Sequence, residues 1–362
     1  MTARRAMRLV TPEDDILSSA SVPVTLRDVS RAAGVSLATA DRVLNRRTGV
    51  RTDTAERVRA ASAQLGYRAN PFASRLARGD LHRLAFVLPR GNNPFMQALS
   101  AQIERVAGHL LPQRVVVELV EVDAFDPAAT AAALARLGAD GCHGVAVVAV
   151  DDEKVAAAID ALHRAAMPVV TLVSDAPNSR RSHYVGVDNL AAGRTAGSLL
   201  GRFVAGRAGP VGVVLGSPAL RDHADRLRGF TEVLARDFPA LRLLPPVAGQ
   251  DDDAASAEVA GALLAAHPGL RGLYAAGAGT PGIAGALLRS GRDRDVVLVG
   301  HELDPASCAF LRDGTVDALI HQDAGHEARS AARLLLAELT GEPVLPDQER
   351  IRIEIFLRDN LP

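Results

Sequence analysis

The sequence predicts an α/β protein in which a small all-α head precedes two doubly wound parallel-sheet subdomains. Two observations carry the prediction: arginine crowds into one early stretch of short helical segments, and from Leu84 onward apolar runs alternate with helical ones. Strand-helix alternation implies parallel sheets covered on both faces. There are too many apolar runs for one sheet, and 362 residues exceed one ordinary core.

The head is read first. Thr25 caps a helix starting at Leu26, with Asp28 in its first turn and Leu26, Val29, Ala32 and Ala33 as an apolar face. Gly34 ends it. Ser36 caps a second helix whose inner side is Ala40, Val43 and Leu44, and a third helix, capped at Thr52, points Ala55, Val58, Ala61 and Leu65 inward. Two helices joined by a tight glycine turn form a helix-turn-helix, which sets the start of its second helix in the major groove of DNA. Residues three and four apart share a face, so Leu37, Ala38, Asp41 and Arg42 project together. Arg42 suits guanine O6 and N7, Leu37 and Ala38 suit a thymine methyl, and Thr39 with nearby arginines suits phosphates. The alternative is a plain surface helix in a small bundle. In "YRANPFASRLARGD", Asn70 caps a short helix begun by Pro71 and ended by Gly79, leaving Leu76 on an arginine-flanked face suited to a minor-groove wedge.

Charge is divided in the same way. Between residues 25 and 79 there are eleven arginines against four carboxylates, whereas the whole chain has a net charge of −1. A basic head on an acidic body is the asymmetry of a nucleic-acid-binding module joined to a non-binding one. The stretch from "VTLRDVSRAAGVSLATADRVLN" through "NPFASRLARG" resembles the DNA-binding head and hinge helix of the LacI/GalR family of bacterial transcription regulators. The resemblance implies that Thr25, Ser36, Leu37, Ala38, Thr39, Arg42, Asn45, Asn70 and Leu76 meet DNA. It also implies a homodimer, or a tetramer built from it, on a pseudo-palindromic double-stranded operator. Asp41 departs from the small residue common at its position and is read as accepting from a cytosine amino group or orienting its neighbours.

The body follows in order. Apolar runs at "RLAFVLP", "RVVVELVEV", "GVAVVAV" and "PVVTLVS" alternate with helices expected over 97–110, 127–138, 153–166 and 189–205. The pattern resumes at "PVGVVLG", "RLLPPV", "GLYAA", "DVVLVGH" and "VDALIHQD", with helices over 224–236, 254–266, 282–290 and 325–339. Ligands of such sheets bind beyond the carboxyl ends of the strands, so a cleft between the subdomains is expected. The order and turns resemble the type I periplasmic-binding-protein fold, the effector domain of LacI-type regulators. That resemblance implies that Asn93, Phe95, Met96, Asp175, Arg226, Glu302 and Gln322 line the cleft; His223 and His301 are read as hydrogen-bond partners facing it, and Gly277 as part of a close turn that leaves it room. Carboxylates, amides and an arginine around an aromatic ring suit a polyol. Gly277, Gly279 and Gly282 spell GxGxxG, but late in the sheet order, so a close turn is preferred to a dinucleotide site. A lesser reading has backbone amides beside Pro281 holding an anion, which would make the effector a sugar phosphate or acid.

The domains expected are an N-terminal extension at 1–23, the helix-turn-helix at 24–69, a hinge helix and linker at 70–81, and an effector-binding and dimerisation domain at 82–362. The function expected is sequence-specific repression of transcription under a small sugar, polyol or sugar-phosphate effector. Competing classes are a stand-alone solute receptor and, further behind, a nucleotide-cofactor enzyme. No apolar run approaches the roughly 20 residues of a membrane helix, and no signal-peptide pattern opens the chain, so a cytoplasmic protein is expected. Cys142 and Cys308 lack partner spacing and are read as core residues. His223, His301, His321 and His326 lack zinc-site spacing, and no nucleophile elbow is present, so neither cofactor, metal nor catalysis is expected.

Overall fold

The computed structural model describes residues 24–44, 48–67 and 81–362, so the 1–23 extension and the hinge at 70–80 lie outside the described residues. The chain divides into two compact units, 1–78 and 79–362.

In the first unit, α1 (Leu26–Ala33), α2 (Leu37–Leu44) and α3 (Thr52–Gln64) enclose Val29, Ala33, Ala40, Val43, Ala55, Val58 and Ala61. Thr25 and Asp28 form a reciprocal capping box, and Gly34 closes α1 at φ +64°, a conformation glycine adopts without strain. Ser36 caps α2 by accepting from the Thr39 N–H at 3.1 Å. Three details differ from the sequence reading. Thr52 lies inside α3, whose cap position, Arg51, makes no side-chain cap bond. Ala32 and Leu65 are exposed.

The second unit has two lobes. In the N-terminal lobe β1 (His82–Arg90), β2 (Val115–Asp123), β3 (Gly144–Val147), β4 (Val169–Leu172) and β5 (His183–Val185) form a parallel sheet of order β2-β1-β3-β4-β5. Around it lie α4 (Pro94–Leu110), α5 (Pro127–Ala139) and α6 (Glu153–Arg164). The run "LAFVL" shows why continuous apolar sequence makes a central strand: Leu84, Phe86 and Leu88 enter one core, while Ala85 and Val87 enter the core on the opposite face.

The C-terminal lobe repeats the scheme with α7 (Asn189–Phe203), β6 (Gly209–Leu215), α8 (Arg221–Asp237), β7 (Leu241–Leu243), β8 (Val247–Ala248), α9 (Asp253–Ala266), β9 (Gly272–Ala275), α10 (Thr280–Arg289), β10 (Val297–His301), α11 (Pro305–Asp313) and β11 (Ala318–His321). Its sheet runs β12-β11-β10-β9-β6-β7, with β8 beside β6 and only β12 (Glu354–Phe356) antiparallel. The chain crosses between lobes at 186–188, at 322–323 and at 341–353. The second crossing carries α12 (Ala324–Thr340) back to the N-terminal lobe, where Ala328, Ala331 and Leu335 join the core of Phe86 and Leu99. Strand β5, helix α11 and strand β12 were not anticipated, and the expected run "RLLPPV" is broken at its two prolines into β7 and β8. Helix α8 begins at Arg221 rather than 224, which brings Asp222 and His223 into its first turn.

Candidate ligand cleft and DNA-facing helix

A cavity of about 260 Å³ lies between the lobes at the carboxyl ends of their strands. It is smaller than the roughly 300–1,000 Å³ of sites for drug-sized ligands, which suits a small ligand better than a dinucleotide. Nine expected residues line it: Asn93, Phe95, Met96, His223, Arg226, Gly277, His301, Glu302 and Gln322.

Asp175 does not. Val173 turns the chain at φ +64°, which sends Ser174 to the cavity wall and carries the next residue past it. The Asp175 carboxylate accepts from Arg181 Nη2 at 2.7 Å, Thr171 Oγ1 at 2.6 Å and the Ala176 N–H at 2.9 Å. Its hydrogen-bonding capacity is taken up by its own lobe.

Each lobe contributes different chemistry. On the N-terminal side Asn93 caps α4, its Oδ1 accepting from the Phe95 and Met96 N–H groups at 3.0 and 3.4 Å, so its amide nitrogen is the end left for a ligand. Phe95 and Phe125 line this side. On the C-terminal side Arg226 is 3% exposed. Its Nε donates to Asn189 Oδ1 at 2.8 Å and its Nη1 to the Ala276 carbonyl at 3.0 Å. Burial opposes the charge, but the Asp222 carboxylate and further acidic neighbours hold the guanidinium protonated. His223 Nε2 stands 3.7 Å from Asp222 and 3.8 Å from Asp251.

Beyond β10, Glu302 adopts φ +68° and accepts from Gln322 Nε2 at 2.9 Å, with His321 Nδ1 at 3.1 Å from its other oxygen. Burial works against charge on His321, yet its bond to Glu302 raises the ring above its ordinary range. His301, within 2.8 Å of the Tyr274 hydroxyl, is held neutral by burial and by Arg226.

Three buried polar atoms in this wall have no hydrogen-bond partner among the described residues: Ser174 Oγ, Asp222 Oδ1 and Gln322 Oε1. An unpaired buried polar group costs about 1–3 kcal/mol, and three such atoms belong to residues that line this cavity. Sequence reasoning missed Ser174, Asp222 and Asp251. The signal for Asp222 was the true start of α8, obscured by the polar "RDHAD".

The glycine run has a packing role. A Cβ at Gly277 would come within 2.4 Å of Asp251 Oδ1, one at Gly279 within 2.0 Å of Ser256 Oγ, and one at Gly282 within 1.9 Å of the Asp253 carbonyl. These glycines let the start of α9 lie against the start of α10. Two amides there are engaged: Ala278 N–H donates to Asp251 Oδ1 at 2.9 Å, and Gly282 N–H bonds Asp253. The close packing leaves the dinucleotide reading without support. The cavity wall also holds Asp123, Asp222, Asp251, Asp252 and Glu302 against two guanidiniums, Arg90 and Arg226.

On the head, Leu37 (43% exposed), Ala38 and Arg42 are exposed on α2, and Thr25 is exposed before α1. Ser36 and Thr39 bond each other at the α2 cap. Asp41 lies near enough to Tyr67 to add to the effect of burial in raising that hydroxyl. Asn45, Asn70 and Leu76 lie outside the described residues.

Two parallel-sheet lobes crossed three times by the chain around a ring-sized cleft define a small-molecule-binding body. Residues 84–343 match the periplasmic binding protein domain, and residues 25–70 match the bacterial regulatory proteins of the lacI family. The chain belongs to the periplasmic binding protein domain family and carries a lacI-type helix-turn-helix head in front of that domain. The HTH-type transcriptional regulator PtxS of Pseudomonas plecoglossicida is 39% identical over 92 residues, 25% of this chain and 27% of PtxS, so the match spans about a quarter of that relative. The ribose import binding protein RbsB of Salmonella typhimurium is 26% identical over 246 residues, 66% of this chain and 78% of RbsB. In fold the body is similar to GanP, a glucose-galactose binding protein from Geobacillus stearothermophilus, with a TM-score of 0.71 and 21% identity, over 78% of this chain and 99% of that one. Among the described residues no helix is long and apolar enough to cross a membrane.

Proposed function

We propose that this chain is a cytoplasmic, homodimeric transcription repressor that binds a pseudo-palindromic operator through its head and releases it under control of a small uncharged polyol or sugar. The observation that carries this reading is the trio of unpaired polar atoms, Ser174 Oγ, Asp222 Oδ1 and Gln322 Oε1, in a ring-sized cleft of a chain that also has a lacI-type head. A carboxylate-rich wall, with two amides at the α10 start bonded to Asp251 and Asp253, disfavours phosphates and sugar acids. The head disfavours a stand-alone receptor for transport. The effector acts by differential affinity for two lobe arrangements, and linkage requires operator and effector to change each other's affinity by the same factor.

The test is selection of bound sites from random duplex DNA, followed by a thermal-shift screen of sugars, polyols and their phosphates with and without the selected site. A two-fold-symmetric site and a neutral sugar that weakens binding to it are expected. Arg42→Ala is expected to lower affinity for the selected site by about 1–3 kcal/mol and to relax preference at one base pair in each half. Failure to enrich any duplex sequence would overturn the proposal.

A further inference from the structure

The two lobes give the cavity opposite chemistry. At the carboxyl ends of the N-terminal sheet four strands each deliver an apolar residue to the wall: Pro89 from β1, Val122 from β2, Val148 and Val150 just beyond β3, and Val173 just beyond β4. All four valines are buried. Leu220, which precedes α8 in the other lobe, also lines the cavity and packs against the apolar group of Val122 and Val150. Apart from Leu220, Gly277 and Ala278, every residue that the C-terminal lobe and the crossing at 322–323 bring to the wall is polar or charged.

The polar groups of the N-terminal side are few, and most are engaged. Arg90 and Asp123 bond each other at 3.2 Å and are exposed, as is Asn92. Thr130 Oγ1 donates to the Asp126 carbonyl at 3.0 Å. That leaves the Asn93 amide nitrogen and Ser174 Oγ on this side. The opposite wall has Asp222 and Gln322, each with an acceptor oxygen unpartnered among the described residues, and Gln322 is held in its orientation by the bond to Glu302. A ligand hydroxyl laid against the valines loses water and gains no partner, whereas a methyl group there exchanges water for an apolar contact.

We infer that the effector is a deoxyhexose, a sugar whose hydroxyls face the C-terminal lobe while a methyl-bearing edge lies against Val148, Val150 and Val173. The inference rests on the proposed reading of the cleft as a sugar site and narrows its ligand class. Val148 and Val150 set the preference, because they stand where a residue with a hydroxyl or amide would instead meet a fully hydroxylated edge.

The test is titration calorimetry of the full-length protein with matched sugars that differ by one hydroxyl: D-fucose with D-galactose, L-fucose with L-galactose, L-rhamnose with L-mannose, and D-quinovose with D-glucose. In at least one pair the deoxy sugar is expected to bind about ten- to a hundredfold tighter, the range in which an apolar pocket rejects an added hydroxyl. Val148→Thr and Val150→Thr keep the side-chain shape and present a hydroxyl. At least one of them should shrink the preference by strengthening binding of the hydroxylated partner, which a merely damaged site would not do. The ratio in the natural protein decides the inference even if neither variant folds. Equal binding within every pair that binds, or tighter binding of the hydroxylated members, would overturn the inference and leave the sugar reading standing. No binding by any of these sugars, with a duplex site still selected from random DNA, would overturn the sugar reading and this inference with it. A preference unchanged in both threonine variants would overturn the role given to the two valines.

Discussion

Replacing Arg226 with methionine is expected to destabilise the body by about 2–6 kcal/mol, the cost of leaving two buried acceptors without their donor. The side chain is almost fully buried and bonds in two directions, to the Asn189 amide oxygen and the Ala276 carbonyl. Methionine fills similar space but strands both acceptors. It also removes a buried positive charge that the carboxylates of Asp222 and Glu302 favour. Arg226→Lys should lose less, because charge is retained while the forked geometry is not. Urea unfolding followed by circular dichroism reads the difference. A methionine variant within about 1 kcal/mol of the natural protein would show that these two buried hydrogen bonds are not what hold this wall. The same variant should lose affinity for any effector, since Arg226 lines the cavity.

The fold was legible where burial is two-sided. A run such as "LAFVL" has one structural solution, a strand covered by helices on both faces, and Leu84 through Leu88 divide between two cores accordingly. It was illegible where an element is short or sits at an edge. Strand β5 is three residues of "HYV", and β12 is "EIF" with only Phe356 partly buried, so neither shows a pattern. Nothing in the sequence of α12 announces that it returns to the first lobe. Its alanine and leucine face would suit either sheet, and only the lengths of the crossings decide. The cleft was legible in its polar residues at strand ends, and it failed at Asp175 for a backbone reason: a valine at positive φ is not foreseeable from side-chain chemistry. Asp222 was hidden for a related reason, since helix starts are the least certain part of a periodicity reading.

Replacing Gly282 with alanine is expected to cost about 3 kcal/mol, near the upper end of overpacking effects, and to disturb the cleft as well. The added Cβ would lie 1.9 Å from the Asp253 carbonyl oxygen and 2.8 Å from its carbonyl carbon, all backbone, so no rotamer change relieves it. The starts of α9 and α10 must separate. That movement pulls on Asp251 and Asp252, which line the cavity just before α9, and on the bond from Ala278 N–H to Asp251. Gly277→Ala is the informative comparison. Its nearest obstacle is the Asp251 carboxylate at 2.4 Å, a side chain that can swing aside, although the Gly216 nitrogen at 2.9 Å limits the relief. The expected order of stability in urea is therefore the natural protein, then Gly277→Ala, then Gly282→Ala. A nucleotide-binding role would predict a different outcome, in which stability is little changed and only affinity for a dinucleotide falls. If Gly282→Ala melts with the natural protein, the close helix contact is not what these glycines serve.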